Sequence, residues 1–460
     1  MFRQSLHFIF AFLLYVLFVS PVIFHWNGMI QAFALLVLAQ ILWTGGVLPA
    51  PVTSLLLMLL VSFHFFTFEK TLSFLGSDVV WLLFSTYIIA GAFLNSGLAH
   101  RLSLYVLRFS KGSIRFLLFM FMMLGLFLAL CVPSNVGRGN MLVSVLEKVS
   151  LHVNKWQKAQ NISKTLFIAS SYIVSIGGAA VVTGANSTLY AFSMFQSISS
   201  LDLNYLNWML LFMPPIVVFI VLLWMVFMLV FPPEKIDTAP IISFVDAELA
   251  RIGSVSGVEL RTIAIIGVTI FLWILQPLHG YSISMIGLFG AVLTMLPAVG
   301  VWKWEDAKKQ VNWGMLLFFA STLLLSRLLI RSGALEWVAE NFFAYFSFHH
   351  LFAVLLVLLI ATVILRTFFV SLLGFMTIMI PLSLEIGSYL GETSSLLLTM
   401  AVYLAGVPGF FLVTQSPVHM IYYSYGNFSE KDLFRVGTAV AGIWLAIIAI
   451  TVHYYWAVLL

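Results

Sequence analysis

The residues best able to do chemistry in this chain sit at Cys131 to Met141, which reads C-V-P-S-N-V-G-R-G-N-M. Ser134 supplies a hydroxyl, Asn135 an amide and Arg138 a guanidinium, and Pro133, Gly137 and Gly139 disturb the helix around them. Apolar runs flank this stretch, Phe116 to Leu130 before it and Met141 to Leu146 after it. Backbone that leaves a helix in hydrocarbon forfeits hydrogen bonds unless protein or a water-filled cavity supplies partners. An arginine at that depth needs a cavity or a partner as well. A chain that keeps such a stretch in an apolar surround is expected to bind something there.

Three further interruptions share this character: Thr183-Gly184-Ala185-Asn186, Ser371-Leu372-Leu373-Gly374 and Ser416-Pro417-Val418-His419. Free N–H groups at a half-helix N-terminus carry partial positive charge and suit a carboxylate or oxyanion. Ser134, Asn135, Thr183, Asn186, Ser371 and Ser416 add hydroxyl and amide groups, and free carbonyls suit a hard cation such as sodium. Ser, Gly and Pro also kink membrane helices without binding anything, so a single break carries little. Four breaks in two matched pairs favour binding.

The elements that carry these breaks are membrane-spanning. The chain has 460 residues, of which 62% are hydrophobic and 8% charged. Repeated apolar stretches of about 18 residues or more read as transmembrane helices. Spans are predicted near 7–24, 28–47, 50–68 and 79–98, then a basic amphipathic linker at 99–112 and a re-entrant helical hairpin at 113–150. A broken span near 164–198, a clean one at 207–231 and a polar loop at 232–258 follow. The second half reads as spans near 259–276, 280–300 and 312–331, a linker at 332–348, a second interrupted region at 349–388, a broken span at 394–426 and a last helix near 435–456. The first apolar segment is read as a retained helix, with no small-residue cleavage site behind it. The expected class is all-α integral membrane, with about eleven transmembrane helices plus two re-entrant hairpins.

Basic residues set the orientation. With the N-terminus cytoplasmic and the C-terminus outside, the inner segments collect Arg101, Arg108, Lys111, Lys155, Lys158, Lys235, Arg251, Lys308 and Lys309 among others, and the outer ones keep only Lys70 and Arg331. The formal charge of +5 is therefore a topology signal and no sign of nucleic-acid binding. The single cysteine excludes an intramolecular disulfide and a multi-cysteine metal cluster. No H-E-x-x-H, G-x-S-x-G or nucleotide-binding loop occurs, so no enzyme class is indicated and no cofactor is expected.

The halves repeat. Ser96-Gly97 and Ser332-Gly333 end corresponding spans, and the breaks at Ser134 and Thr183 answer those at Ser371 and Ser416. An odd number of spans per copy inverts the second. Inverted repeats with discontinuous helices in matching places point to a secondary transporter.

On these motifs the chain resembles the divalent anion:sodium symporter family, from about residue 30 onward. Pro133 to Gly139 is similar to the family's first Ser-Asn-Thr motif, nearest the form of the citrate and oxoglutarate/malate exchanger branch. Gly177-Gly178 with Thr183 to Asn186 resembles the family's G-G…T-P-P-N break, and Ser416 to His419 is aligned with the second such break. Val136 replaces the first motif's threonine, Leu372-Leu373 the second motif's Asn-Thr, and His419 the last Asn.

The resemblance implies an elevator-type carrier of small organic dianions such as dicarboxylates, coupled to sodium, with exchange of di- or tricarboxylates, another oxyanion such as sulfate, and loss of transport as alternatives. It implies a substrate site at Ser134, Asn135, Arg138, Thr183, Asn186, Ser371, Ser416 and His419, and sodium at Ser134, Asn135, Gly178, Thr183, Asn186, Ser371 and Ser416. It implies scaffold helices at 1–98 and 259–331, transport halves at 99–231 and 332–460, a cytoplasmic linker at 232–258, and a homodimer in lipid. Arg138 has two open roles, a substrate carboxylate or a backbone carbonyl at the hairpin neck. Arg366 is read as structural, and His419 as a neutral hydrogen-bonded imidazole.

Overall fold

The computed structural model describes residues 2–20, 24–110, 113–156, 160–198, 203–236, 239–345 and 350–460. Every labelled element among them is a helix. The first part of the chain runs through α1 (Phe2–Leu14), α2 (Gly28–Gly45), α3 (Ala50–His64), α4 (Asp78–Asn95) and α5 (Leu98–Phe109). The first hairpin follows as α6 (Ile114–Phe127) and α7 (Asn135–Trp156). A broken helix, α8 (Gln160–Gly177) and α9 (Asn186–Ile198), leads to α10 (Tyr205–Val230). After α11 (Ala239–Ile252) come α12 (Gly257–Ile274), α13 (Ile283–Leu293), α14 (Trp313–Arg331) and α15 (Ala334–Tyr345). The second hairpin is α16 (Leu351–Arg366) and α17 (Leu372–Ser388), the second broken helix α18 (Glu392–Gly406) and α19 (Pro417–Tyr423), and α20 (Glu430–Ile450) follows.

Helices α12 to α20 repeat α2 to α10 one for one. The packing exchanges accordingly: α4 packs on α13 while its counterpart α14 packs on α3, and α9 packs on α17 while its counterpart α19 packs on α7. Each copy thus completes the other's core. Each hairpin rests both arms on the broken helix after it, α6 and α7 on α8, and α16 and α17 on α18. The Ser-Gly pairs expected to match do so. Gly97 (φ 84°) and Gly333 (φ 72°) both turn the chain through the left-handed region between a span and an amphipathic helix, where a side chain would be strained.

Three expectations change. The linkers at 99–112 and 332–348 contain the helices α5 and α15. The polar loop at 232–258 contains α11, whose Val245, Leu249 and Ile252 recur at helical spacing, and it packs on α5. The spans expected at 50–68 and 280–300 shorten to α3 and α13. At about 1.5 Å per residue, α13 covers little more than half of a hydrocarbon core about 30 Å thick. By length and composition, six helices among the described residues can cross a membrane, α2, α4, α10, α12, α14 and the helix from Glu430 to Leu459. The chain is an all-α integral membrane protein.

Candidate functional site

Each hairpin turns at a serine that caps the returning arm. The Ser134 hydroxyl accepts from Gly137 N (3.1 Å), and the Ser371 hydroxyl from Gly374 N (3.2 Å). These caps hold one donor of the first turn and leave the N–H groups of the two residues before it free. The broken helices match in backbone detail. Val182–Gly184 and Val413–Gln415 each form one 3-10 turn, entered through an extended Val181 or Leu412. Each turn is left through an extended residue, Ala185 (φ −156°, ψ 157°) or Ser416 (φ −147°, ψ 135°), before α9 or α19 begins.

This geometry corrects the register of the second break. Thr183-Gly184-Ala185-Asn186 matches Thr414-Gln415-Ser416-Pro417, not Ser416 to His419. His419 therefore lies within α19 and is no counterpart of Asn186. It is fully buried, with Nδ1 3.4 Å from Leu412 O and its ring 5.5 Å from that of Tyr172.

Ser134, Asn135, Asn186, Ser371 and Ser416 meet at one cavity of about 510 Å³. All four interruptions contribute to it, so the N-terminal ends of α7, α9, α17 and α19 converge there. Gln40, Thr44, Tyr87 and Asn312 line it from α2, α4 and the start of α14. The Tyr87 hydroxyl lies 3.3 Å from Asn186 Nδ2, and Gln40 Nε2 donates to Gly374 O at 3.4 Å. These residues were not singled out from the sequence. The signal was there in Gln40, an amide inside a strongly apolar helix.

Four expected site residues lie outside this cavity. Arg138 is fully buried, and its guanidinium donates to Val132 O, Gly184 O, Val174 O (2.9 Å) and Asn135 Oδ1 (2.6 Å). Of its two open roles, backbone carbonyls are the one the geometry gives. Thr183 pairs with the Tyr205 hydroxyl at 3.3 Å and faces a small pocket with Cys131 and Trp273. The Gly178 carbonyl accepts from the Thr188 hydroxyl at 2.7 Å, so it is already committed. His419 is the fourth.

Arg366 repeats the role of Arg138. It donates to Phe369 O at the second tip, Gln415 O in the second break (2.8 Å) and Gly406 O at the end of α18 (3.0 Å). Phe369 precedes Ser371 by the same interval as Val132 precedes Ser134, and Gln415 corresponds to Gly184. Every oxygen these two guanidiniums reach is neutral. Among the described residues no acidic side chain lines the cavity, whereas Arg366 lines it and Arg138 stands behind the first tip, so the local field favours an anion.

The chain is similar to known transport proteins. Residues 3–460 match the family described as the sodium:sulfate symporter transmembrane region. A citrate/succinate antiporter of Escherichia coli (strain K12) is 24% identical over 380 residues, 81% of this chain and 77% of the relative. An L-tartrate/succinate antiporter of Shigella sonnei (strain Ss046) is 22% identical over 389 residues, 82% of this chain and 78% of the relative. The crystal structure of the YdaH transporter of Alcanivorax borkumensis shares the fold, with a TM-score of 0.53 at 13% identity over 99% of this chain and 97% of that one. The chain belongs to the divalent anion:sodium symporter family, and it is a membrane transport protein for small anions.

Proposed function

We propose that this protein exchanges small organic carboxylates across the membrane without coupling to sodium. One observation carries the reading: Arg138 and Arg366 hold the tip and break carbonyls of both halves, the oxygens a hard cation would need. A fixed guanidinium there supplies positive charge and satisfies those oxygens at once. A carrier whose cationic charge is built in needs no co-transported cation, and a positive empty site disfavours crossing unloaded. Both features suit exchange, and the two relatives named above are antiporters.

Binding uses Ser134, Asn135, Asn186, Ser371 and Ser416 with the free N–H groups of four half-helices. Movement is an elevator-like displacement of hairpins and broken helices against the scaffold. The long bonds Tyr87–Asn186 and Gln40–Gly374 cross that boundary and are weak enough to be remade at each cycle. The reading keeps a homodimer through scaffold helices, with the N-terminus cytoplasmic and the C-terminus outside.

The test is purified protein in liposomes, with labelled succinate, citrate and 4-methyl-2-oxopentanoate supplied outside. Uptake is expected only when unlabelled carboxylate is trapped inside, and at the same rate in sodium and potassium. Uptake into empty vesicles driven by an inward sodium gradient would overturn the proposal.

A further inference from the structure

Arg138 and Arg366 differ in the hydrogen-bond donors they have left. A guanidinium carries five N–H groups, two on each terminal nitrogen and one on Nε. Arg138 uses both N–H groups of Nη1 on Val132 O and Gly184 O, and both of Nη2 on Asn135 Oδ1 and Val174 O. Its Nε has no partner among the described residues, and that atom is buried away from the cavity lining. Arg366 instead makes one bond from each nitrogen: Nε to Gly406 O, Nη1 to Phe369 O and Nη2 to Gln415 O. One N–H therefore remains on Nη1 and one on Nη2, with no acceptor among the described residues. Unlike Arg138, Arg366 lines the cavity.

That remaining pair is held in place. The three carbonyls come from the hairpin tip, the break and the end of α18, and the guanidinium stands over the Phe375 ring, with Cζ 5.9 Å from its centroid. One N–H on each terminal nitrogen is what the two oxygens of a carboxylate take up. A fork already fixed by its other bonds loses little freedom on receiving one. A donor that carries charge also binds an anion about twice as strongly as a neutral donor does.

Other donors share this end of the cavity. Arg366 Nη2 is bonded to the carbonyl of the residue before Ser416, and the Ser416 hydroxyl accepts from Val418 N (3.2 Å), so its own proton is left to donate. Gln40 reaches the second tip from α2 with Nε2 3.4 Å from Gly374 O, a bond too long to compete with a charged acceptor. Trp43, one turn beyond Gln40, lines the cavity with a buried Nε1 that has no partner among the described residues. The tip itself follows Ser371 with Leu372 and Leu373, where the first tip follows Ser134 with Asn135 and Val136. The polar side chain that Asn135 provides at the first tip is supplied at the second from off the tip, by Arg366 and by the scaffold.

We infer that Arg366, with Gln40 and Ser416 beside it, is the subsite for one carboxylate of a two-headed substrate whose other carboxylate sits at Asn135 and Asn186, and that this subsite sets the preference for two heads over one. The inference rests on the carrier reading above and deepens it, because it names the residues that read the second charge.

Two matched probes test it: succinate, and butanoate, which has the same chain length and one carboxylate. Half-saturation by each is read from heat protection of the purified protein in detergent, and exchange of labelled succinate against internal succinate is read in proteoliposomes. The wild type is expected to half-saturate with succinate at a concentration at least about tenfold below that for butanoate, the worth of a charged hydrogen bond. Arg366→Lys keeps the charge and loses the fork, and is expected to raise the succinate value about 10- to 100-fold. Gln40→Leu is expected to raise it about 2- to 10-fold. In both variants the ratio between the probes falls, whereas a merely structural defect would weaken both probes alike and keep the ratio. A ratio unmoved in a folded Arg366→Lys protein overturns the inference, as does wild-type protection by succinate no stronger than that by butanoate. If Arg366→Lys does not fold, Gln40→Leu decides, since its side chain makes a single long bond: a narrowed ratio upholds the inference and an unmoved one overturns it. Failure of the wild type to exchange succinate, with the ratio intact, would end the carrier reading and leave the subsite standing. Exchange without the ratio would do the reverse.

Discussion

Arg138 and Arg366 do the same work from opposite sides of their hairpin turns. Arg138 follows the capping Ser134 and Arg366 precedes Ser371, yet each guanidinium joins a tip carbonyl to the 3-10 turn of its own half's broken helix. What the repeat preserves is the position of a charge, not of a residue.

Removing either charge therefore unties a hairpin from its break. Arg138→Ala leaves Val132 O, Gly184 O and Val174 O without their donor in a fully buried place. Each buried acceptor left unsatisfied costs about 1–3 kcal/mol. Thermal unfolding in detergent is expected to show a marked loss for Arg138→Ala and Arg366→Ala, and transport should vanish in both. Arg138→Lys should recover part of the stability and little transport, because a single ammonium cannot reproduce the planar fork that reaches four oxygens.

Asn135 separates binding from folding. Asn135→Asp keeps an oxygen for Arg138 and turns the contact into an ion pair, so the protein is expected to fold as stably as the wild type. It removes the Nδ2 donor and places a negative charge in an anion cavity. A hydrogen bond to a charged group is worth about 1.5–3 kcal/mol, so exchange is expected to fall about 10- to 100-fold. The measurement is initial exchange rate beside melting temperature. A parallel fall in both would mean that Asn135 acts through the fold.

Much of this organisation was legible beforehand. The hairpin serines, the Ser-Gly pairs and the first break announce themselves because small and polar residues are conspicuous in apolar helices. The second break was misread by two residues. Its Ser416-Pro417 looked like the start of the motif, whereas Pro417 opens α19, where a missing N–H is harmless. The 3-10 turn before it is held by Gln415, whose Oε1 accepts from Phe411 N (2.7 Å) and Leu412 N (2.8 Å). This is the returning half of a capping box, hidden in the sequence because the N-cap position holds Leu412 where the pattern has Ser or Thr. The scaffold wall, Gln40 and Tyr87, was missed because what places it is tertiary packing between distant helices.

Gly184 tests the tightness of the first break. A Cβ on Gly184 would sit 2.4 Å from Gly178 O, and one on Gly178 would meet Arg138 Nη2 at 2.8 Å. The first obstacle is backbone and cannot swing aside. Gly184→Ala is expected to cost about 1–3 kcal/mol by overpacking and to abolish exchange. Gly257, which has open space around it, is the control, and Gly257→Ala should leave both melting temperature and rate unchanged.

The helix α11 gives a pH test outside the membrane. Glu248 accepts from Arg251 (2.6 and 2.9 Å) and lies 3.3 Å from His100 Nε2 on α5, while Arg108 faces Asp246 nearby and Arg101 is held by Glu259. The Arg251 hydrogen bonds hold the Glu248 carboxyl below its ordinary value of 4.5. A lowered carboxylate pKa adds stability that is complete above the unfolded value and is lost as pH falls through the folded one. The clasp of α11 on α5 is therefore expected to be unchanged between pH 8 and 6 and to loosen only below about pH 4.5. Glu248→Gln should loosen it at neutral pH. Amide hydrogen exchange across 242–252, corrected for intrinsic rates, measures this directly. Faster exchange in Glu248→Gln at pH 7, with a flat wild-type profile from pH 8 to 6, is the expected pattern. A wild-type profile that already changes between pH 8 and 6 would overturn the assignment of the clasp to Glu248.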